Sequence, residues 1–315
     1  MAEGVGNTRG RKQARGGGVI RALSSSSPRA GEVARSAGGG TLGRLPPPSL
    51  RDTSPVKGED VWLCSMPATG KIGSVPTTWH LPEEVPIALL FNSTSHAVMM
   101  ATPSDLQDFA IGFALSEGLV AHASHVSNVL MMPSDEGFSV DLSIPESKFI
   151  RERIVSRSME GRVGCGLCGI EEMADAIRMP DHKLHSPEFS SEAIARAFDA
   201  LPSFQPMNEL NRTVHAAAWC SLDGSILLAR EDVGRHNALD KLIGAMARGR
   251  IKPANGFVLM SSRCSFELVQ KCATVGIGAL ATISAPTALA LKLAKQAGLK
   301  LAALSKQGIM IFDGV

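Results

Sequence analysis

Two thiols separated by two residues, Cys165-Gly166-Leu167-Cys168, sit in a stretch holding Gly161, Gly164, Gly166 and Gly169. Such a pair supports three chemistries. It can supply half of a zinc site, whose other ligands must come from elsewhere. No second CxxC exists, and Cys64, Cys220, Cys264, Cys272, His215 and His236 are scattered candidates. It can be a redox pair, although thioredoxin-like pairs sit where a strand opens a helix, and this one lies among glycines. It can also accept and pass on sulfur, which needs a thiolate on a segment able to visit two places. Arg162 favours the thiolate, and the glycines permit the motion. Spacing alone leaves all three open.

A second concentration of polar groups is Arg230-Glu231-Asp232-Val233-Gly234-Arg235-His236-Asn237, where an apolar strand gives way to a helical pattern. A helix start presents free backbone N–H groups to an anion, and Arg235 and His236 add donors suited to phosphate. The competing reading is a solvated turn with helix-capping acids. A third string, Ser261-Ser262-Arg263-Cys264-Ser265-Phe266-Glu267, and a fourth, Ser284-Ala285-Pro286-Thr287, also follow apolar runs. Each by itself reads equally as a polar turn or a helix cap. Three polar strand ends on successive β-α units are better explained as one ligand-binding edge, because open α/β sheets bind at the carboxyl ends of their strands. Walker A and GxSxG patterns are absent. His185, His215 and His236 lack the HxE of zinc deaminases, and Gly164 precedes Cys165 where those enzymes have proline.

These strings need a scaffold. The 315 residues allow one or two domains, and 44% hydrophobic with 20% charged residues is globular composition. Strands are expected over 87–91, 98–100, 126–132 and 138–142. A helix is expected from Leu106, started by a capping box at Ser104 and closed by Gly118. Together they make a small α+β domain over 56–150. Residues 151–180 read as a mobile loop carrying the CxxC. Beyond it, 191–200 is helical, 214–219 and 226–229 are strands joined at Asp223-Gly224, and 236–246 is helical. A strand over 257–260, a helix over 265–275, a strand over 277–283, a helix from Pro286 to Gln296 and strands over 299–304 and 309–312 follow. The order β-β-α-β-α-β-α-β-β predicts a mixed sheet with flanking helices over 181–315.

The first fifty residues hold seven Arg and one Lys against two Glu, a formal charge of +6, leaving −4 for the rest. With eleven Gly, six Ser and four Pro and no aromatic residue, residues 1–55 read as a disordered basic extension. A basic arm and a transit peptide are weaker readings, since the Gly and Pro runs form no amphipathic helix. A net charge of +2 and no tyrosine argue against a nucleic-acid partner. The most apolar later stretch is broken by Gly278, Pro286 and Lys292, so no membrane span is expected. No apolar h-region follows the basic residues, so a secretory signal is not expected, and a reducing cytoplasm with free thiols is.

From about Leu81 onward the chain resembles the FdhD family of formate dehydrogenase accessory sulfurtransferases. The resemblance runs through Glu83-Glu84-Val85-Pro86-Ile87, Thr102-Pro103, Ile111-Gly112-Phe113 with Ser116-Glu117-Gly118, and the CxxC with Gly169. It continues through the string from Glu231 to Lys241, Ser261-Ser262-Arg263 with Ser265-Phe266-Glu267, and Ser284 to Thr287. It implies a cytidine-deaminase-like α/β fold without the zinc site, working as a homodimer. It implies that a cysteine desulfurase loads persulfide sulfur on Cys165, with Cys168 assisting. The sulfur would pass to a molybdenum (or tungsten) bis-molybdopterin guanine dinucleotide cofactor, bound as substrate and destined for formate dehydrogenase. Cofactor contacts would fall on Leu304, Ser305, Lys306, Gln307, Gly308 and Ile309, with His215, Arg235, His236, Ser262 and Arg263, and no resident metal. The chain departs from the family where Asn211-Arg212-Thr213 replaces a Thr-Gly-Gly-type stretch, and around Lys306, which lacks a usual Arg or Pro. Two other readings are a zinc-binding structural protein and a non-enzymatic chaperone for the cofactor.

Overall fold

The computed structural model describes residues 64–151, 177, 179–180 and 183–312. The CxxC loop and the basic extension of the sequence reading lie outside the described residues, apart from the loop's borders.

Alternation of side chains explains the main sheet. Strands β7 (His215–Ser221), β8 (Ile226–Asp232), β9 (Gly256–Cys264), β10 (Ala279–Pro286), β11 (Lys300–Ser305) and β12 (Gly308–Phe312) stand in the order β12-β11-β10-β9-β7-β8. Its central strands are apolar on both faces, as strands covered on both sides must be. Ala216, Ala218, Cys220, Phe257, Leu259, Ala279 and Ala281 pack under Ile194 and Phe198 of helix α2 (Ser191–Ala200). Ala217, Trp219, Val258, Met260 and Leu280 face the opposite core. That core is closed by α4 (Arg235–Arg248), α5 (Phe266–Thr274) and α6 (Ala288–Ala297), with a short α3 (Pro206–Asn211) preceding β7. Strands β9, β10 and β11 run parallel, and β7 is antiparallel to both β8 and β9, so β8 shares their direction. The β8-α4-β9, β9-α5-β10 and β10-α6-β11 crossovers all step the same way along the sheet. A common handedness then puts their helices on one face.

A second sheet comprises β3 (Val85–Phe91), β4 (Thr94–Ala101), β5 (Asn128–Pro133) and β6 (Phe138–Ser143) in the order β4-β3-β6-β5. Helix α1 (Leu106–Ser116) covers it, and one continuous apolar core joins this layer to α4, α5 and the main sheet. The two layers meet where α1 crosses α4 at backbone contact distance. A Cβ at Gly112 would fall 1.7 Å from the Asp240 carbonyl oxygen, and one at Gly244 would fall 1.9 Å from that of Asp108. Only glycine permits this approach.

The mixed sheet with flanking helices and the smaller α+β layer before it match the sequence expectation. Four details differ. The capping box at Ser104 does not form: Asp105 is the N-cap in a left-handed conformation (φ 53°), without a side-chain cap bond. Strand β9 runs on to Cys264, so Ser261, Ser262 and Arg263 belong to the strand rather than to a turn. Helix α6 begins at Ala288, because Pro286 ends β10 and Thr287 caps the helix by accepting from the Ala290 N–H. Finally, β1 (Ser65–Ile72) and β2 (Val75–Pro82) form an antiparallel ribbon that the sequence reading did not anticipate. Its register puts Met66, Ala68, Ile72, Val75, Trp79 and Leu81 on one face. Pro67 lies in one strand, and Pro76 and Pro82 in the other.

Candidate functional site

The sheet directions decide which polar residues meet. The carboxyl ends of β8, β9, β10 and β11 and the starts of β7 and β12 fall on one edge of the six-stranded sheet. His215 opens β7 opposite Asp232 of β8. The Ala216 N–H donates to Ser261 Oγ across to β9 at 2.7 Å. Arg263 pairs with Ser284 and Cys264 with Pro286, through register shifts that bend both strand ends. At the far end of the edge, Ser305 pairs with Gly308 and bonds its carbonyl at 2.7 Å, with Lys306 and Gln307 exposed at the turn. Strand spacing puts this turn roughly 15 Å from His215 along the edge.

The Glu231–Lys241 string divides between this edge and the interior. Asp232 is fully buried, as is the Lys241 ammonium 2.7 Å away. The Asp232 carboxylate also accepts from the Thr102 N–H (3.0 Å), the Gly234 N–H (2.7 Å) and Asn237 Nδ2 (3.0 Å). Lys241 donates to the Thr102 carbonyl at 3.0 Å, and Asn237 to that of Met100 at 2.9 Å. These groups fasten the β8–α4 junction to the β4–α1 junction. A buried ion pair of this kind is tolerable because further hydrogen bonds satisfy both partners. Glu231 is also turned inward and accepts the Met207 and Asn208 N–H groups at 2.9 Å. Burial nevertheless raises its carboxyl above the usual carboxylate range, against the pull of those two donors.

One turn along α4, Asp240 is buried against Lys271 of α5, whose Nζ lies 3.0 Å from Asp240 Oδ2 and from Glu117 Oε1. Ser116 Oγ donates to Asp240 Oδ1 at 2.6 Å. Burial drives the Asp240 carboxyl upward, and Lys271 and Ser116 oppose it. Ser116, Glu117, Asp240 and Lys271 thus lock α1, α4 and α5 together.

What remains for the edge is cationic and hydroxyl-bearing. Arg235 and His236 open α4, His215 opens β7, Ser262 is buried beside exposed Arg263, and all lie at neighbouring strand ends. Burial lowers the His215 pKa, and the charges of Arg235 and His236 lower it further, so its imidazole is neutral at neutral pH. His236 is buried, with Nε2 3.4 Å from Ser265 Oγ and 3.9 Å from Glu267 Oε2. Burial pushes the Glu267 carboxyl up, but His236, Ser265 and the backbone at the start of α5 outweigh it and hold the carboxyl at about 2. Glu267 is therefore an anion beside His236. The sequence places Ser265 and Glu267 in a polar string at a strand end and in the family resemblance, but not among the candidate site residues; the string itself is the available signal. Chemically, this edge can receive phosphate or another anionic group through guanidinium, imidazole and hydroxyl donors.

Cys165 and Cys168 lie outside the described residues. The other four thiols are poor nucleophiles. Cys220, Cys264 and Cys272 are fully buried, and burial raises all three, Cys264 to about 12. Half-buried Cys64 is raised by burial as well.

The FdhD/NarQ family model matches residues 82–313. Among similar proteins, the sulfur carrier protein FdhD of Cupriavidus necator is 47% identical over 226 residues, 72% of this chain and 78% of that protein. The protein of the same name from Chromobacterium violaceum is 48% identical over 240 residues, 75% of this chain and 88% of the relative. A crystal structure from Desulfotalea psychrophila, assigned as a formate dehydrogenase accessory protein, shares the fold. Its TM-score is 0.59 at 24% identity, covering 79% of this chain and 95% of that one. With a matched span running from the end of β2 through β12, the chain belongs to the FdhD/NarQ family.

Proposed function

We propose that this protein is a sulfur carrier. It takes persulfide sulfur from a cysteine desulfurase on Cys165 and delivers it to a molybdenum or tungsten bis-molybdopterin guanine dinucleotide, the substrate, for use in formate dehydrogenase. The observation that carries the reading is the edge where His215, Arg235, His236, Ser262 and Arg263 gather at neighbouring strand ends. The hairpin turn of Leu304, Ser305, Lys306, Gln307, Gly308 and Ile309 lies farther along the same edge. A bis-dinucleotide is a long ligand with a diphosphate in each arm, and an elongated row of donors suits it better than one compact pocket. The names of the relatives agree with a sulfur-transfer role. The four buried or half-buried thiols, each raised by burial, leave the Cys165–Cys168 pair as the better nucleophile.

In the first step the Cys165 thiolate attacks the outer sulfur of the donor's persulfide. A new S–S bond forms on Cys165, and the donor leaves as a thiolate. In the second, Cys168 attacks Cys165, giving a Cys165–Cys168 disulfide and one hydrogen sulfide: the dithiol is oxidised and the sulfane sulfur reduced. Sulfide then replaces an oxygen ligand of the substrate's metal, which departs as water, and a cellular thiol reductant reopens the disulfide. Residues 151–180 act as the carrier loop, 56–150 and 181–315 as the two parts of the body, and 1–55 as an extension. The reading includes a homodimer and a reducing cytoplasm that keeps the thiols free. None of the helices among the described residues is long and apolar enough to cross a membrane.

Mass spectrometry of the full chain after incubation with desulfurase and cysteine tests this directly. One added sulfur on the peptide holding Cys165, absent in Cys165→Ala, is the expected result. An unmodified loop with intact cofactor binding would leave a chaperone instead, and stoichiometric zinc in protein purified without added metal would leave a structural metal site. Cys165→Ala should also abolish formate dehydrogenase activation while keeping nucleotide affinity. Arg235→Ala should weaken GDP binding by calorimetry without blocking persulfide loading.

A further inference from the structure

The β1–β2 ribbon is anchored beside the polar edge. At its base the Glu83 N–H donates to the Cys64 carbonyl at 3.0 Å, and the Cys64 thiol is hydrogen-bonded to Ser104 at the β4–α1 junction. Ser104 Oγ lies 3.4 Å from the Lys241 ammonium, which pairs with Asp232 at the carboxyl end of β8. One residue of β2 reaches the approach to the next strand. Trp79 Nε1 donates to the Asn211 carbonyl at 3.3 Å. Asn211 ends α3 and stands four residues before His215, a span of at most about 14 Å. The turn between them is held firmly. The Thr213 N–H and Oγ1 donate to Asn211 Oδ1 and its carbonyl at 2.9 and 2.8 Å, and the Arg212 N–H closes on the Asn208 carbonyl at 2.8 Å. Asn208 is itself bonded to Glu231 of β8.

The indole is held but not covered. Trp79 is 49% exposed although its one polar atom is engaged by Asn211. Its cross-strand neighbour is Ala68, whose methyl is too small to cover an indole. Next in the chain to the carbonyl that holds it is Arg212, exposed as well. A tryptophan fixed through its N–H, with ring surface left in water, is a pre-positioned plate for a flat ligand. We propose that Trp79 stacks on the guanine base of one arm of the substrate, whose diphosphate lies on His215 and Arg235. The inference rests on the reading of the edge as the receptor for that substrate. An aromatic plate beside cationic strand ends matches the two halves of a purine nucleoside diphosphate, the base on the ring and the phosphates on guanidinium and imidazole donors. Stacking is indifferent to the exocyclic groups of the base, so Trp79 supplies affinity rather than a choice between guanine and adenine.

The test uses the full chain, with GDP as the probe for the arm and inorganic pyrophosphate as the probe for its phosphates alone. By calorimetry Trp79→Ala should weaken GDP at least ~5-fold, and ADP by the same factor, while pyrophosphate affinity stays unchanged. Trp79→Phe, which keeps a ring but loses the bond to Asn211, should recover most of the GDP affinity. GDP should quench indole fluorescence in the parent and less in Trp79→Phe. Unchanged GDP affinity in Trp79→Ala overturns the proposal, and if Arg263→Ala still weakens GDP the receptor reading survives without it. An equal loss for pyrophosphate, or a Trp79→Phe as weak as Trp79→Ala, also overturns it, because Trp79 would then act by holding the ribbon to the turn. A parent that binds neither probe removes the receptor reading and this one together.

Discussion

One helix, α4, carries two kinds of polar residue that the sequence makes look alike. Asp232, just before it, with Asn237, Asp240 and Lys241 along it, is buried and partnered inward. Arg235 and His236 stand with His215 and Arg263 where the strands end. The interior set holds α4 against α1, α5 and the β4–α1 junction, and that grip fixes where the edge set stands. A charged string that runs through a strand-to-helix junction is thus partly a clamp and partly, in the proposed function, a receptor. Their partners separate them: Asp232, Asn237, Asp240 and Lys241 bond to α1, α5 and the β4–α1 junction, whereas His236, though buried as well, meets Ser265 and Glu267 at the strand ends.

Changing the clamp should alter stability, and changing the edge should alter ligand affinity. The largest effect is expected from Gly244→Ala, whose methyl would meet the Asp108 carbonyl. A loss of at least about 3 kcal/mol in chemical denaturation is expected, at or above the upper range for overpacking. A stable, unperturbed variant would show that α1 and α4 do not cross this closely. Lys241→Met strands the Asp232 carboxylate in the interior and should cost about 3–5 kcal/mol. Adding Asp232→Asn should recover part of that loss, and strict additivity of the two substitutions would deny that they act as a pair.

Glu267→Gln is intermediate. The carboxyl's folded pKa of about 2 lies below its ordinary value of 4.5. Its stabilisation is therefore fully present above about pH 4.5 and is lost as the pH falls towards 2. The variant should be less stable than the parent by on the order of 2 kcal/mol at pH 7. The gap should close between pH 4.5 and 2, and a gap independent of pH would remove the electrostatic explanation. Smallest for stability is Arg263→Ala, exposed at the edge, expected to shift unfolding by less than about 0.5 kcal/mol. The same change should weaken GDP binding several-fold by calorimetry, and unchanged affinity would take Arg263 out of the receptor set.

Much of the main sheet was readable because its strands are short apolar runs bounded by turn residues, as at 257–260 and 277–283. Helix α4 was readable because Leu239, Leu242, Ile243 and Met246 repeat at helical spacing. The ribbon over 65–82 was not: Ala68, Gly70 and Thr77 dilute its alternation, and three prolines disguise it as a loop. Helix α3 was hidden by its six-residue length, too short to show a period. In the candidate site, the shared edge followed from the alternation of strands and helices, since strands joined through helices run parallel and bring their carboxyl ends together. The inward turn of Asp232 and Lys241 did not follow. Carboxylate and ammonium groups are ordinarily solvated, and only the tertiary approach of Thr102 gives them a buried set of partners. Ser104 failed as a cap for a related reason: its hydroxyl is 3.4 Å from the Lys241 ammonium.

The prolines of the β1–β2 ribbon have a consequence for colloidal behaviour. A two-stranded hairpin with Met66, Trp79 and Leu81 each about half exposed would ordinarily be a template for aggregation along its free rims. Pro67, Pro76 and Pro82 supply no N–H there, so an incoming chain finds an interrupted row of donors and cannot zip on. The molecule can thereby keep an oily tongue in water without seeding fibres.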